Sequence, residues 1–258
     1  MIDTHVHVWR IGEHGCVWPG VDLPEIYRDF DLVDFREAAG DAVEGVVLVQ
    51  SQENAADTSW LLGLADPLIR GVVGWADLQA PDSERQVRAL AGHDRLKGLR
   101  PMVQDREADW YDRADDAALA AMGEARLVLD ALVRPRHLES LARLAARHPG
   151  LTVVIDHAAK PDFGDLAPWE RAMRAIARHT NVHAKFSGLL TEPNAVVGHV
   201  FGTLWEAFGP ERLIWGSDWP VLTLAAGYRE WLAMAEDLVP PEHHDAVFGA
   251  NARRAYRL

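Results

Sequence analysis

Ile2-Asp3-Thr4-His5-Val6-His7-Val8 reads as a β-strand, because apolar and β-branched residues dominate it. Side chains along a strand alternate between faces, so His5 and His7 point the same way. Two imidazoles on one face are half of a metal site, since a zinc ion takes four donors drawn from histidine, cysteine and carboxylate side chains. The remaining chain must supply both the partners of this strand and the missing ligands.

Working outward, seven further apolar runs bounded by turn residues follow: Glu44–Gln50, Gly71–Asp77, Leu96–Arg100, Arg126–Ala131, Leu151–His157, Val182–Ser187 and Arg212–Asp218. Continuous runs such as Val46-Val47-Leu48-Val49 are expected of strands covered on both faces. Helical stretches lie between them, at Leu32–Ala39, about Ala56–Ala65, Ser83–Leu90 with Ser83 as the cap, Asp112–Met122, Pro135–Arg147, Trp169–Arg178 and Ala195–Phe208. Two more close the chain, Tyr228–Leu238 and about His243–Tyr256. Eight βα units predict an α/β fold, a (β/α)8 TIM-type barrel, with residues 1–258 as a single domain. The competing doubly wound sheet requires a glycine-rich phosphate-binding turn after the first strand, and the sequence has none there. The stretch Arg10–Asp31, rich in Gly and Pro, is a long loop of the kind that often carries function.

Composition narrows the partners. The chain carries 26 Lys and Arg against 39 Asp and Glu, a formal net charge of -13, which repels nucleic-acid phosphates and anionic membrane surfaces. We therefore expect a small-molecule substrate, no nucleic acid and no membrane; the oligomeric state is left open. Cys16 is the only cysteine, so no intramolecular disulfide forms, and no targeting segment precedes the first strand, which together point to the cytoplasm.

Barrel enzymes place their chemistry at the C-terminal ends of the strands. Here those ends carry His5 and His7, Gln50, Asp77, Arg100, Asp130, His157, Lys185 with Ser187, and Asp218. Three imidazoles and one carboxylate, His5, His7, His157 and Asp218, form the best metal set, and the first and eighth strands that bear three of them are neighbours once a barrel closes. With no further well-placed histidine or lysine, the set suits one ion or none. Asp156 lies out of phase with His157 and is expected to face the helices. Trp9, Trp110 and Trp219 lie just beyond strand ends, where a ring can stack on a sugar face.

Several stretches together resemble the amidohydrolase superfamily in its sugar-lactonase-like branch. They are Ile-Asp-Thr-His-Val-His at 2–7, Val-Leu-Val-Gln-Ser at 47–51, Lys-Gly-Leu-Arg at 97–100, Asp-His-Ala-Ala-Lys-Pro at 156–161, Lys-Phe-Ser-Gly-Leu at 185–189 and Trp-Gly-Ser-Asp-Trp-Pro at 215–220. The resemblance implies a hydrolase that opens a sugar-derived aldono-lactone by metal-assisted attack of water. It implies His5, His7, His157 and Asp218 as ligands of one divalent ion, zinc or manganese. Asp218 with His157, Arg100 and Lys185 would carry the chemistry, and Gln50, Lys160, Ser187 and Trp219 would contact substrate. Two alternatives stay open within the same superfamily: a metal-independent lactonase of aromatic catabolism, which would need no ion, and a metal-dependent decarboxylase. The chain departs from the usual pattern at Ala159, where glycine is common, at Asp57, where glutamate is common, and at His183, where a small residue is common.

Overall fold

A computed structural model describes residues 1–258 and contains eight strands in one parallel sheet. They are β1 (Ile2–Val6), β2 (Gly45–Val49), β3 (Ile69–Gly74), β4 (Leu96–Leu99), β5 (Val128–Ala131), β6 (Val153–Ile155), β7 (Val182–Phe186) and β8 (Leu213–Trp215), hydrogen-bonded in that order. The ends meet where Asp218 N donates to His5 O at 2.9 Å and His7 N donates to Trp219 O at 2.8 Å, so the sheet curls into a nearly closed barrel. Helices α1 (Leu32–Ala39), α2 (Ala55–Gly63), α3 (Ser83–Leu90), α4 (Asp116–Glu124), α5 (Leu138–Arg147), α6 (Ala167–Ile176), α7 (Val197–Phe208) and α8 (Tyr228–Leu238) alternate with the strands. The (β/α)8 expectation holds.

Strand alternation sorts the apolar residues into two layers. Ile2, Val47, Val49, Val73, Val128, Val154 and Ile214 fill the interior, and a ninth helix, α9 (Asn251–Tyr256), plugs its lower end with Ala252, Ala255 and Tyr256. Val46, Leu48, Val72, Leu129, Ile155 and Phe186 face outward onto the helices. The fully buried aliphatic side chains each contribute about 1.5–3 kcal/mol of transfer free energy.

Two departures from simple alternation position the site. In β1 the pairing runs Asp3 to Val46 and Val6 to Leu48, three steps against two, which marks a bulge. Ile2 belongs to the inner layer and Val6 and Val8 to the outer one, so the bulge is what turns His5 and His7 inward. At β6 the opposite correction applies. Val154 is an inner residue, so Asp156 continues that phase into the barrel, contrary to the expectation that it faces the helices. His157 reaches the site through left-handed backbone instead, with φ of 50°, in a run of positive φ that continues through Ala158, Ala159 and Lys160. Ser83 is also not a cap: Asp82 precedes the helix, and the Ser83 hydroxyl donates to Asp115 Oδ2 at 2.6 Å.

Asp3 locks the closure from outside. Its Oδ1 accepts from Ser217 N at 2.9 Å and His5 N at 3.1 Å, and its Oδ2 accepts from the Tyr228 hydroxyl at 3.0 Å. Burial pushes its carboxyl up to about 6 despite these donors. The folded protein thus holds this proton more tightly than the unfolded chain does. Its stabilising contribution is present at low pH and is lost as pH rises through about 6. Asp3→Asn keeps an acceptor oxygen and cannot titrate. Its stability relative to the parent is expected to rise by about 2 kcal/mol between about pH 4 and pH 7, as read by urea unfolding. An unchanged difference would show that Asp3 is ionised in the folded protein.

Candidate active site

At the C-terminal end of the barrel, His7, Arg100, His157, Lys160 and Asp218 line a cavity of about 530 Å³ with Val17, Trp18, Met102, Leu132 and Val221. Asp218 Oδ1 stands 3.6 Å from His5 Nε2, 3.4 Å from His7 Nε2 and 3.8 Å from His157 Nε2. Donors about 2 Å from one tetrahedral centre lie about 3.3 Å apart, so these separations suit a shared ion. His5, His7 and Asp218 have donor atoms all within 4.8 Å of one another, as do His5, Asp156 and His157.

The hydrogen bonds behind the rings favour the same use. His7 Nδ1 lies 2.7 Å from Val49 O, a group that only accepts, so Nδ1 carries the proton and Nε2 keeps its lone pair. His157 Nδ1 is 2.9 Å from Ser187 Oγ. Gly188 supports that ring: its φ is +60°, and an added Cβ would collide with His157 Nδ1. Burial lowers His5 well below the ordinary histidine range and His157 to about 4, so both rings are neutral near pH 7. For Asp218 burial acts to raise the carboxyl, but His157, His7 and His5 outweigh it and hold the group well below the usual carboxylate range. Asp218 also has φ of 63°, a left-handed conformation in which Asp and Asn are the best tolerated side chains apart from glycine.

Other expected site residues fall elsewhere. Lys185 is fully buried beneath His5 and does not line the cavity; its Nζ is 2.8 Å from Asp130 Oδ2 and 2.9 Å from Asp156 Oδ1. Gln50 is also buried and donates from Nε2 to Arg100 O at 2.8 Å. Ser187 is engaged with His157, and Trp219 packs in the core against Phe30 and Phe35. Gln50, Ser187 and Trp219, expected to contact substrate, do not line this cavity, and Gln50 Oε1 is left without a hydrogen-bond partner. Trp9 is likewise core, donating to Arg28 O at 2.7 Å, whereas Trp110 and Asp77 border a neighbouring cavity.

The long loop over residues 10–31 supplies the wall that sequence reasoning left unassigned. Trp9 and Phe30 exchange backbone hydrogen bonds of 3.0 Å at its neck. Its far side is tied down by Gln52, whose Oε1 accepts from Val17 N at 2.9 Å and whose Nε2 donates to Trp18 O at 2.7 Å. His14 adds a second tie through Asp57 Oδ1 at 2.8 Å and stacks on Trp60. Asp57 thus serves the loop from behind.

A family model described as amidohydrolase matches residues 2–258. The chain belongs to the amidohydrolase family. Two relatives of this amidohydrolase carry the name L-fucono-1,5-lactonase. The one from Burkholderia ambifaria is 41% identical over 276 residues, covering 100% of this chain and 95% of the relative. The one from Burkholderia multivorans is 36% identical over 287 residues, covering 100% and 96%. A crystal structure of an amidohydrolase from Burkholderia multivorans with bound zinc superposes with a TM-score of 0.89 at 31% identity, covering 100% of this chain and 99% of the other. This amidohydrolase is an enzyme with a small-molecule substrate, and no helix in it is long and apolar enough to cross a membrane.

Proposed function

We propose that this amidohydrolase opens a sugar-derived aldono-1,5-lactone by attack of water, and that His5, His7 and Asp218, with His157, hold one divalent ion, zinc or manganese. The convergence of three imidazole nitrogens on one carboxylate oxygen carries the reading. An ion held by these residues would polarise a carbonyl and lower the pKa of water toward about 7. Asp218 borders the cavity and is ionised, so it takes a proton from the attacking water and returns it to the departing ring oxygen. Arg100, fixed by its bond to Gln50 O, presents positive charge to the carbonyl oxygen as negative charge develops.

Lys160 stands 3.9 Å from Glu192 on the cavity wall and reaches the hydroxyls of the substrate. Val17, Trp18, Met102, Leu132 and Val221 give the cavity an apolar side that matches the methyl group of a 6-deoxy sugar lactone. The relatives named for L-fucono-1,5-lactone act on such a compound. A cytoplasmic location agrees with the single cysteine.

The test is proton release from a panel of freshly prepared lactones. 6-Deoxy-aldono-lactones should turn over with kcat/KM at least about tenfold above their 6-hydroxy counterparts, the cost of placing an added hydroxyl against an apolar wall. No hydrolysis of any aldono-lactone would exclude the reading. A second reading, hydrolysis without an ion, is favoured by one observation: Arg100 Nη1 lies 3.3 Å from His5 Nε2, the nitrogen an ion would use.

A further inference from the structure

Beneath the cavity lies a cluster of charges of which the chemistry above uses only Arg100. Lys185 Nζ is 2.8 Å from Asp130 Oδ2 and 2.9 Å from Asp156 Oδ1. The Tyr256 hydroxyl, carried up from α9 at the lower end of the barrel, donates to Asp130 Oδ1 at 2.6 Å. Asp156 Oδ2 is 3.6 Å from Arg100 Nη1, and Asp156 Oδ1 is 3.5 Å from His5 Nδ1. Two cations, Lys185 and Arg100, thus face two carboxylates, Asp130 and Asp156, at essentially zero solvent exposure. Burying four charges is costly, so an arrangement serving stability alone would be as well met by apolar side chains.

The geometry around His5 indicates what the cluster does. A guanidinium has only donors, so the approach of Arg100 Nη1 to His5 Nε2 at 3.3 Å requires Nε2 to bear the lone pair. The His5 proton is then on Nδ1, which has two neighbours: Lys185 Nζ at 3.3 Å, another donor, and Asp156 Oδ1 at 3.5 Å, an acceptor. Lys185 can sit this close to an N–H because Asp130 takes its proton and Asp156 Oδ1, otherwise without a hydrogen-bond partner, balances its charge at 2.9 Å. If Lys185 instead donated to Nδ1, the ring proton would move to Nε2 and face the ligand set.

We propose that Asp156 is a positioning residue that holds the His5 proton on Nδ1, and that Lys185, Asp130 and Tyr256 are the clamp that keeps Asp156 in place. The Nε2 lone pair is thereby kept on the side of His7 and Asp218, where Arg100 Nη1 also approaches it, and α9 is mechanically linked to the reactive centre. Lys185 acts through His5, not on the substrate. The consequence for an ion rests on the metal-holding reading given above, but the tautomer itself does not.

Imidazole 15N NMR of metal-free, histidine-labelled protein reads the tautomer directly. The parent is expected to show His5 protonated at Nδ1, and Asp156→Leu, which has no acceptor, to show loss of that preference. Chelator competition with zinc should then give affinity about tenfold to a hundredfold weaker for Asp156→Leu than for the parent. Should Asp156→Leu fail to fold, the charge-balanced double variant Lys185→Met/Asp156→Leu takes its place, with the same direction expected in both measurements. A parent ring protonated at Nε2 overturns the proposal, as does a folded variant whose His5 tautomer is unchanged. A parent that is protonated at Nδ1 but binds no zinc supports the proposal and sinks the metal-holding reading instead.

Discussion

Asp218→Asn is expected to lower kcat for lactone hydrolysis by two to four orders of magnitude, the range associated with loss of a positioned proton acceptor. The fold should survive this change for a specific reason. Residue 218 sits at φ of 63°, where asparagine is accommodated as readily as aspartate, and its N–H and neighbouring carbonyls make the β1–β8 closure through the backbone. The melting temperature should therefore move by no more than a few degrees, which for a chain of this size corresponds to about 1 kcal/mol. Proton release with saturating substrate gives the rate, and thermal unfolding gives the control. A folded variant that keeps more than about a tenth of the parent rate would remove Asp218 from proton transfer, since such transfer contributes at least about a hundredfold.

The barrel was legible because its signal is periodic and redundant. Eight apolar runs at regular spacing leave few alternatives, and runs such as Val46–Val49 are apolar on both faces because both are covered. Individual side-chain directions were less legible, since a strand end is where alternation fails. The inward direction of His5 and His7 depends on a bulge between Asp3 and Val6, which leaves no mark in composition. At 156–157 the phase of Val154 was the available signal: it places Asp156 inside and leaves His157 to arrive by left-handed backbone. Ala159 shares that conformation, with φ of 62°, which accounts physically for glycine being common there.

Residue type alone also did not show that Gln50, Ser187 and Trp219 stand off the cavity, Gln50 Nε2 bonded to Arg100 O, Ser187 to His157 and Trp219 packed on Phe30. No local pattern announces that Tyr256, near the end of the chain, bonds to Asp130 in the middle of it, because only the closed barrel brings them together. The role of the loop at 10–31 was similarly hidden in long-range ties, Gln52 to Val17 and Asp57 to His14.

The second large effect concerns the ion. Protein purified without chelator is expected to contain about one zinc or manganese per chain, one being the number that a single set of three or four donors holds. Removing it should depress kcat at least about a hundredfold, and returning zinc or manganese should restore the rate. The pH dependence of occupancy follows from the ligands. Protons compete with an ion for imidazole lone pairs, and burial lowers His5 well below the ordinary range and His157 to about 4. Both rings therefore stay available as pH falls from 7 to 5, and occupancy measured by elemental analysis after dialysis should not fall over that range through either of them. Arg100 provides the contrary outcome. Its Nη1 already faces His5 Nε2 at 3.3 Å, and it supplies a fixed positive charge without any ion. Undiminished hydrolysis by protein shown to be metal-free would assign the electrostatic work to Arg100, with Asp218 acting on water unaided.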